Sequence, residues 1–434
     1  MLPKTETDVS FIIKATLATS GIEARNTQNT NMNREGEWEM KRILAAAMIM
    51  LGSATAAQAS EPIKITVIQD ATGSAVLEAY ATQVYRGFDL GIQWATDGTG
   101  EVLGRKIEVI RKDTTVKPDR ARSLLAEAYE DGSVLAVGST SSGITKAMLP
   151  VAADYEKILL VAPAVADSIT GADWNRFIFK SSRNNSFDMQ AQAVAMKLDE
   201  NTSIGIIGED YAFVRDGAAA LKEAVKKYGA KVVAEEFVEV NAADLTPALE
   251  RLGQAMQPLP GRKLLFAYFG FLPNYMGKIT NWGPDRYGLE LTSIVLTLPQ
   301  LESFKVAPGM EGGAFYYYEL ENNPVNDWLV AEHQKQFGSP PDFFTVEGFA
   351  AASAIVTGLK KAQSTETEDL IAAMEGMEFA SPRGTMRFRP EDHQAMMPMY
   401  HARLENRDGV AWAVPTLVRK IEPEEFDIPI RNTR

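Results

Sequence analysis

The chain has 434 residues, of which 45% are hydrophobic and 23% are charged, and it contains no cysteine. This length and composition are typical of globular domains with sizeable cores and not of a disordered chain. The lack of cysteine excludes disulfides, a thiolate nucleophile and zinc-thiolate sites. A formal net charge of -13 disfavours nucleic acid as a partner, because no basic stripe is available to neutralise phosphates.

The N-terminal part of the chain has the pattern of a processed leader. The basic segment Met40-Lys41-Arg42 precedes the apolar residues 43–51, and an Ala-Gln-Ala cleavage signal follows them. We predict a secretory signal peptide over residues 40–59, a mature start near Ser60 and a periplasmic location. Residues 1–39 are polar and unpatterned, and we expect them to be an untranslated or disordered extension. The leader is too short to span a bilayer, which needs roughly 20 apolar residues, and we expect no other segment to qualify.

Strand-like and helix-like patterns alternate through the rest of the chain. Such alternation is typical of parallel sheets covered by helices, and the repeat of the pattern after residue 180 predicts two α/β lobes with a cleft between them. The predicted strands are residues 63–68, 106–111, 134–137, 158–161, 203–207, 231–238, 263–269 and 291–296. The predicted helices between them are residues 76–92, 118–129, 215–228 and 246–256.

The last third of the chain continues this pattern. We predict a strand at residues 315–318, helices around Trp328 and over 345–360, and late strands near 399–404 and 411–418. The resulting division assigns residues 60–180 plus 314–395 to lobe 1 and residues 181–313 plus 396–434 to lobe 2.

One turn is a candidate ligand site. Residues 138–145, Gly-Ser-Thr-Ser-Ser-Gly-Ile-Thr, follow a predicted strand and open a helix. Glycine and small hydroxyl residues let the backbone approach a ligand, and a helix N-terminus favours a negative charge, so a carboxylate fits here. The alternative is that Ser141 or Ser142 only caps the helix. Ligands of open parallel sheets bind beyond the carboxyl ends of the strands, where residues 162–168, 209–211 and 270–273 also lie.

Sequence patterns for catalysis are sparse. Among the three histidines we take only Asp392-His393 as a candidate catalytic dyad, and we expect a solvated turn there. The sequence lacks a phosphate-binding loop, a dinucleotide-binding glycine motif and a hydrolase nucleophile elbow. We therefore predict a binding protein and not an enzyme, with no metal ion and no cofactor.

Five short motifs follow one another along the predicted mature chain. They are Leu103-Gly104-Arg105-Lys106, Ser142-Gly143-Ile144-Thr145, Asp167-Ser168-Ile169-Thr170-Gly171, Asp210-Tyr211-Ala212 and Ala380-Ser381-Pro382-Arg383-Gly384. In this order, with a signal peptide and no cysteine, the chain resembles the periplasmic solute-binding proteins of branched-chain amino acid ABC importers. The resemblance implies the type I fold, in which two doubly wound parallel-sheet lobes are joined by a hinge. It also implies a monomer that binds a small carboxylate and delivers it to the permease subunits of an ABC transporter.

The resemblance further implies where the ligand binds. The turn at residues 142–145 and the backbone of residues 164–166 correspond to a carboxylate cradle. One aromatic residue of the second lobe closes over the ligand, and two others flank the cleft, although core packing is the alternative for the flanking pair. The implied ligand-binding residues are Tyr80, Ser142, Gly143, Thr145, Ala164, Val165, Ala166, Tyr211 and Phe271.

The family's amino acid binders place an acid near what is here residues 296–300, where it pairs with the ligand ammonium. This stretch carries no acid. An unpaired ammonium in a closed cleft would cost on the order of several kcal/mol. We therefore expect an aromatic or other hydrophobic carboxylate, with Phe213 and residues 315–318 as candidate stacking surfaces. The alternative function is a ligand-sensing receptor of the same fold that controls a signalling or regulatory partner.

Overall fold

The computed structural model describes residues 61–270, 272, 274–294 and 297–432. The predicted extension and signal peptide lie outside the described residues, and so does the candidate site residue Phe271.

The first lobe is built on a six-stranded sheet. Its strands are β1 Ile63–Gln69, β2 Glu101–Val102, β3 Arg105–Asp113, β4 Leu135–Gly138, β5 Ile158–Val161 and β6 Ile178–Lys180. Their order in the sheet is β2-β3-β1-β4-β5-β6, and every pairing is parallel except that of β2 with β3. Strands β4 and β5 are buried along their whole length because helices cover both faces, which explains their continuous apolar sequences.

The second lobe contains an all-parallel sheet of four strands. These strands are β7 Thr202–Glu209, β8 Lys231–Val238, β9 Arg262–Tyr268 and β10 Glu290–Ser293, in the order β10-β9-β7-β8. Two three-stranded antiparallel sheets complete the described part of the fold. One contains β11 Glu311–Ala314, β15 Met399–Glu405 and β16 Val414–Ile421, and the other contains β12 Glu378–Ser381, β13 Gly384–Phe388 and β14 Ala395–Met396.

Eleven α-helices connect and cover these strands in the described residues. They are α1 Ala75–Ala95, α2 Pro118–Glu130, α3 Ser142–Asp154, α4 Asn185–Ala195, α5 Ala212–Lys226, α6 Thr246–Met256, α7 Tyr275–Trp282, α8 Leu298–Ser303, α9 Pro324–Phe337, α10 Phe343–Ala362 and α11 Thr367–Met374. The prediction of a two-lobed, doubly wound α/β fold is therefore confirmed. The lobe boundaries in the sequence stay a prediction.

Helix α10 is long and apolar enough to cross a membrane by length and composition, so the expectation that no segment after the leader would qualify is wrong. The helix is nevertheless a core element, because 89% of its most apolar stretch is buried inside the protein. It packs directly along α1 at glycine contacts. A Cβ atom on Gly87 would lie 1.8 Å from the Thr345 carbonyl oxygen, and one on Gly348 would lie 2.1 Å from that of Val84.

Two local predictions are wrong. Residues 315–318 do not form a strand: β11 ends at Ala314, and the next three aromatic side chains are buried without strand pairing, whereas Tyr318 is half-buried. Their apolar character reflects core packing, which a strand and an irregular buried segment share. His393 is fully buried instead of lying in a solvated turn, because its ring stacks on Phe179 at 3.9 Å and its nitrogens bond to Ile178 and Glu375.

Candidate functional site

A cavity of about 580 Å³, including the space at its mouth, lies between the two lobes. Most of its lining follows the carboxyl ends of parallel strands, as expected for open α/β sheets. From the first lobe it is lined by Leu77, Tyr80, Thr140, Ser141, Ser142, Pro163, Val165 and Phe344. The crossover after β6 contributes Arg183, and the second lobe contributes Tyr211, Phe213, Gly270 and Thr297.

A buried carboxylate shapes the hydroxyl-rich loop of this cavity. Asp70, directly after β1, accepts hydrogen bonds from the Ser141 N–H at 2.7 Å, the Ser139 hydroxyl at 3.0 Å and the Thr114 hydroxyl at 2.5 Å. Burial raises the pKa of Asp70, although the hydrogen bonds that it accepts act in the opposite direction. Sequence reasoning missed this residue. The available signal was an acid immediately after an apolar strand, on the predicted ligand edge of the sheet.

Of the predicted cradle at residues 142–145, only Ser142 lines the cavity. Thr145 is fully buried beneath the loop, where its hydroxyl accepts from the Ser139 N–H at 3.1 Å. Gly143 is exposed, and a Cβ atom there would have only the Ser141 Oγ within 4 Å, at 3.9 Å. The two residues therefore shape and flank the loop, and their role in ligand binding stays a prediction.

The second predicted loop is tied to the first by hydrogen bonds. The Ala164 N–H donates to the Ser139 carbonyl at 3.1 Å, and the Ala166 N–H donates to the Ser142 Oγ at 3.2 Å. Both alanines are buried, whereas Val165 between them lines the cavity. The structure thus brings the two loops together. The two backbone N–H groups hold one loop to the other and are therefore not available to a ligand.

The aromatic candidates Tyr80 and Tyr211 both line the cavity and both reach the opposite lobe. The Tyr211 hydroxyl lies 3.1 Å from the Ser141 Oγ, and the Tyr80 hydroxyl donates to the Gly270 carbonyl at 3.3 Å. Tyr80 also stacks on Phe344, with ring centroids 3.9 Å apart. Burial raises the pKa of both phenols, so they are neutral hydrogen-bonding groups.

A third contact between the lobes involves Asp342, which caps α10 by accepting from the Phe343 N–H at 2.8 Å. Its second carboxylate oxygen accepts from the Leu298 N–H at 3.0 Å, at the start of α8 and next to the cavity residue Thr297. Burial raises the pKa of Asp342 to about 6. The two walls of the cavity are therefore in hydrogen-bonding contact at three places.

Arg183 is the cavity residue of most chemical interest that sequence reasoning missed. It is the one charged side chain among the described residues that line the cavity. Only 3% of it is exposed, and its Nε donates to the Asp188 Oδ1 at 2.8 Å. No motif marks this position; the only signal was a basic residue shortly after the strand at residues 178–180.

The arrangement is suited to binding. A cation, several hydroxyls and aromatic rings converge on one concave space, which is the usual composition of a small-molecule site. Over the described residues, no cluster of three histidine or acidic side chains is placed to hold a metal ion.

The comparisons with known proteins agree with this fold. Residues 62–409 match the family of periplasmic binding proteins. The leucine-, isoleucine-, valine-, threonine-, and alanine-binding protein of Pseudomonas aeruginosa is 23% identical, over 82% of this chain and 93% of its own length.

Two solved structures are also similar. An ABC-type branched-chain amino acid transporter protein from Rhodopseudomonas palustris CGA009 is 48% identical, with a TM-score of 0.79, over 86% of this chain and all of its own. A solute binding protein of an ABC transporter from Rhodopseudomonas palustris BisB5, in complex with 3,4-dihydroxybenzoic acid, is 25% identical, with a TM-score of 0.71, over 84% of this chain and 98% of its own. Because the family match covers most of its length, this chain belongs to the periplasmic binding proteins, among the solute-binding proteins of branched-chain amino acid type ABC transporters.

Proposed function

We propose that this protein is the periplasmic substrate-binding component of an ABC importer and that its ligand is an aromatic or other hydrophobic carboxylate without an amine. The observation that carries the ligand class is the charge of the cavity lining, which contains the cation Arg183 and no acid among its described residues, since Asp188, the ion-pair partner of Arg183, is not part of the lining. A ligand carboxylate can pair with this cation, whereas a ligand ammonium has no anion in the described lining to pair with.

The acids nearest to the second-lobe side of the cavity already accept hydrogen bonds from the protein. Glu209 accepts from the Gly270 N–H at 2.9 Å, and Asp342 accepts from two backbone N–H groups; neither lines the cavity. The nearby positions outside the described ranges, Phe271, Pro273, Val295 and Leu296, carry no charge in the sequence. An α-ammonium group would therefore lose its hydration without gaining an ion pair.

The known relatives support two ligand classes. The 48% identical structure is named for branched-chain amino acid transport, which favours an amino acid as the second candidate ligand. The structure with 3,4-dihydroxybenzoic acid favours an aromatic carboxylate. The cavity lining supports the acid without an amine, because Tyr80, Phe213 and Phe344 supply flat apolar surface beside the one cation of the described lining.

The remaining parts of the proposal follow from family membership. We infer a monomer that closes on its ligand in the periplasm, delivers it to permease subunits and performs no catalysis. A sensing role with a regulatory partner is the alternative. Loss of uptake of labelled ligand in cells that lack the gene supports transport, whereas unchanged uptake with altered gene expression supports sensing.

The test compares ligands that differ only in the amine. Mature protein starting at Ser60, refolded to remove any ligand, is screened by thermal shift against 3-phenylpropionate and phenylalanine, and against 4-methylpentanoate and leucine. Benzoate and 3,4-dihydroxybenzoate complete the screen. Ligand at about a hundred times its dissociation constant stabilises by roughly 2.7 kcal/mol, which raises the melting temperature by several degrees. We expect shifts with the amine-free acids, and shifts with only the amino acids would overturn the proposal.

A further inference from the structure

The geometry points to Arg183 as the group that binds the ligand carboxylate, so that the polar end of the ligand lies at the crossover between the lobes and not in the turn at residues 142–145. This inference rests on the proposed function, because it needs an anionic ligand.

The guanidinium of Arg183 keeps an unused donor. Its side chain lines the cavity, and its Nη1 is buried without a hydrogen-bond partner among the described residues. A buried guanidinium nitrogen without an acceptor is costly, and an incoming carboxylate supplies that acceptor. Hydrogen bonds between two charged groups are also about twice as strong as neutral ones.

The guanidinium is held rigidly. Its Nε is fixed by Asp188, and its central carbon lies 3.7 Å from the ring centroid of Phe315 and 4.4 Å from that of Phe343. An arginine held in this way has lost its side-chain freedom before the ligand arrives, so binding does not carry that entropic cost. This packing also gives a role to Phe315, which supports the arginine instead of lining the cavity.

The predicted cradle has fewer free donors than the sequence suggests. The N–H groups of Ser139, Ser141, Ala164 and Ala166 all donate within the protein. The Thr140 hydroxyl donates to the Gln69 side chain at 2.9 Å. The N–H groups in the first turn of α3 are the donors that remain in these loops. They are neutral, and Arg183 offers the charge.

The test measures how strongly each variant distinguishes a carboxylate from its neutral carboxamide. Benzoate and benzamide are the first pair, and the same comparison is made for the carboxylate that binds most tightly in the ligand screen. The variants are Arg183→Lys and the double variant Arg183→Met with Asp188→Asn, which avoids leaving a buried carboxylate unpaired. The matched control is Arg383→Lys, because Arg383 is also fully buried, pairs with Glu347 at 3.2 Å and does not line the cavity.

We expect the wild type and the control to bind benzoate about 10- to 100-fold more tightly than benzamide. The double variant should lose this preference while its affinity for benzamide changes by less than about threefold. A folded double variant that keeps the preference would overturn the role of Arg183 and leave the proposed function standing. A wild type that binds no carboxylate at all would overturn both.

A second measurement does not depend on how the variants fold. In crystals of the wild type with 4-bromobenzoate, the anomalous signal of bromine marks the end of the ring opposite the carboxylate. We expect the bromine on the side of the cavity away from Arg183 and the carboxylate within hydrogen-bonding distance of the Arg183 guanidinium. A carboxylate in the turn at residues 142–145, with the bromine beside Arg183, would refute the inference.

Discussion

The two walls of the cavity are built in different ways. The first-lobe wall is held from within. Asp70 accepts two hydrogen bonds from its hydroxyl loop and one from Thr114, and two further hydrogen bonds join that loop to residues 164–166. The second-lobe wall instead presents Tyr211, Phe213, Gly270 and Thr297, and it meets the first wall through single hydrogen bonds. Under the proposed function, we expect the first wall to be a preformed half that receives the ligand and the second wall to close over it.

We expect the largest losses of stability and ligand affinity when the internal support of the first wall is removed. Asp70→Ala leaves the buried Ser141 N–H and two hydroxyls without their acceptor. We expect the free energy of unfolding in urea to fall by about 2–4 kcal/mol and ligand affinity to fall at least tenfold. The control is Asp119→Asn, whose side chain is exposed on α2. Unchanged affinity in folded Asp70→Ala would show that the loop does not need this support.

The buried carboxyl of Asp342 should make the free energy of unfolding depend on pH. Burial raises the pKa of this carboxyl from 3.8 to about 6, so the folded protein holds the proton more tightly than the unfolded chain. The stability from this group is full below about pH 4 and is lost as the pH rises through about 6. The free energy of unfolding of the wild type should therefore fall by up to about 3 kcal/mol across this pH range relative to that of Asp342→Asn.

This prediction is checked by urea unfolding of both proteins at pH 4, 5, 6 and 7. The quantity compared is how the difference in free energy of unfolding between the two proteins changes with pH. Its value at a single pH is not used, because Asp342→Asn also weakens the cap of α10. A difference that stays constant from pH 4 to pH 7 would contradict the assignment.

A substitution in the second wall should have a smaller effect on affinity and stability. Tyr211→Phe removes only the hydroxyl that lies 3.1 Å from the Ser141 Oγ and keeps the ring. We expect affinity to fall about 3- to 10-fold, with the melting temperature of the ligand-free protein unchanged, because one neutral hydrogen bond contributes about 1 kcal/mol. Titration calorimetry measures the effect. Tyr155→Phe, which lies outside the cavity lining, should leave affinity unchanged.

The smallest effect is expected at Gly143, which the sequence placed in the cradle. A Cβ atom there meets no crowding and belongs to the first turn of α3, so Gly143→Ala should raise the free energy of unfolding by about 0.5–1 kcal/mol. Affinity should change by less than about twofold. A large loss of affinity would restore the turn at residues 142–145 as the carboxylate site and would favour it over Arg183.

Local patterns in the sequence were sufficient to predict the architecture. Apolar runs and helical spacing identified the main strands and helices of both lobes, because the central strands of a doubly wound fold, such as β4 and β5, are buried on both faces. The same topology placed the ligand edge at the carboxyl ends of the strands, which is where Ser141, Val165, Tyr211 and Gly270 lie. Local patterns failed at residues 315–318, where buried aromatic residues pack without pairing as a strand.

The sequence by itself therefore determined the two-lobed α/β fold and the edge of each sheet that borders the cavity, because both follow from short-range periodicity. Only the tertiary structure decided which polar groups face the cavity and which are used to hold it. Asp70 reaches Ser141 across 71 positions, and Arg183 is fixed by rings from two distant segments. Such pairings depend on long-range packing, and nothing in the residues next to Asp70 or Arg183 specifies them.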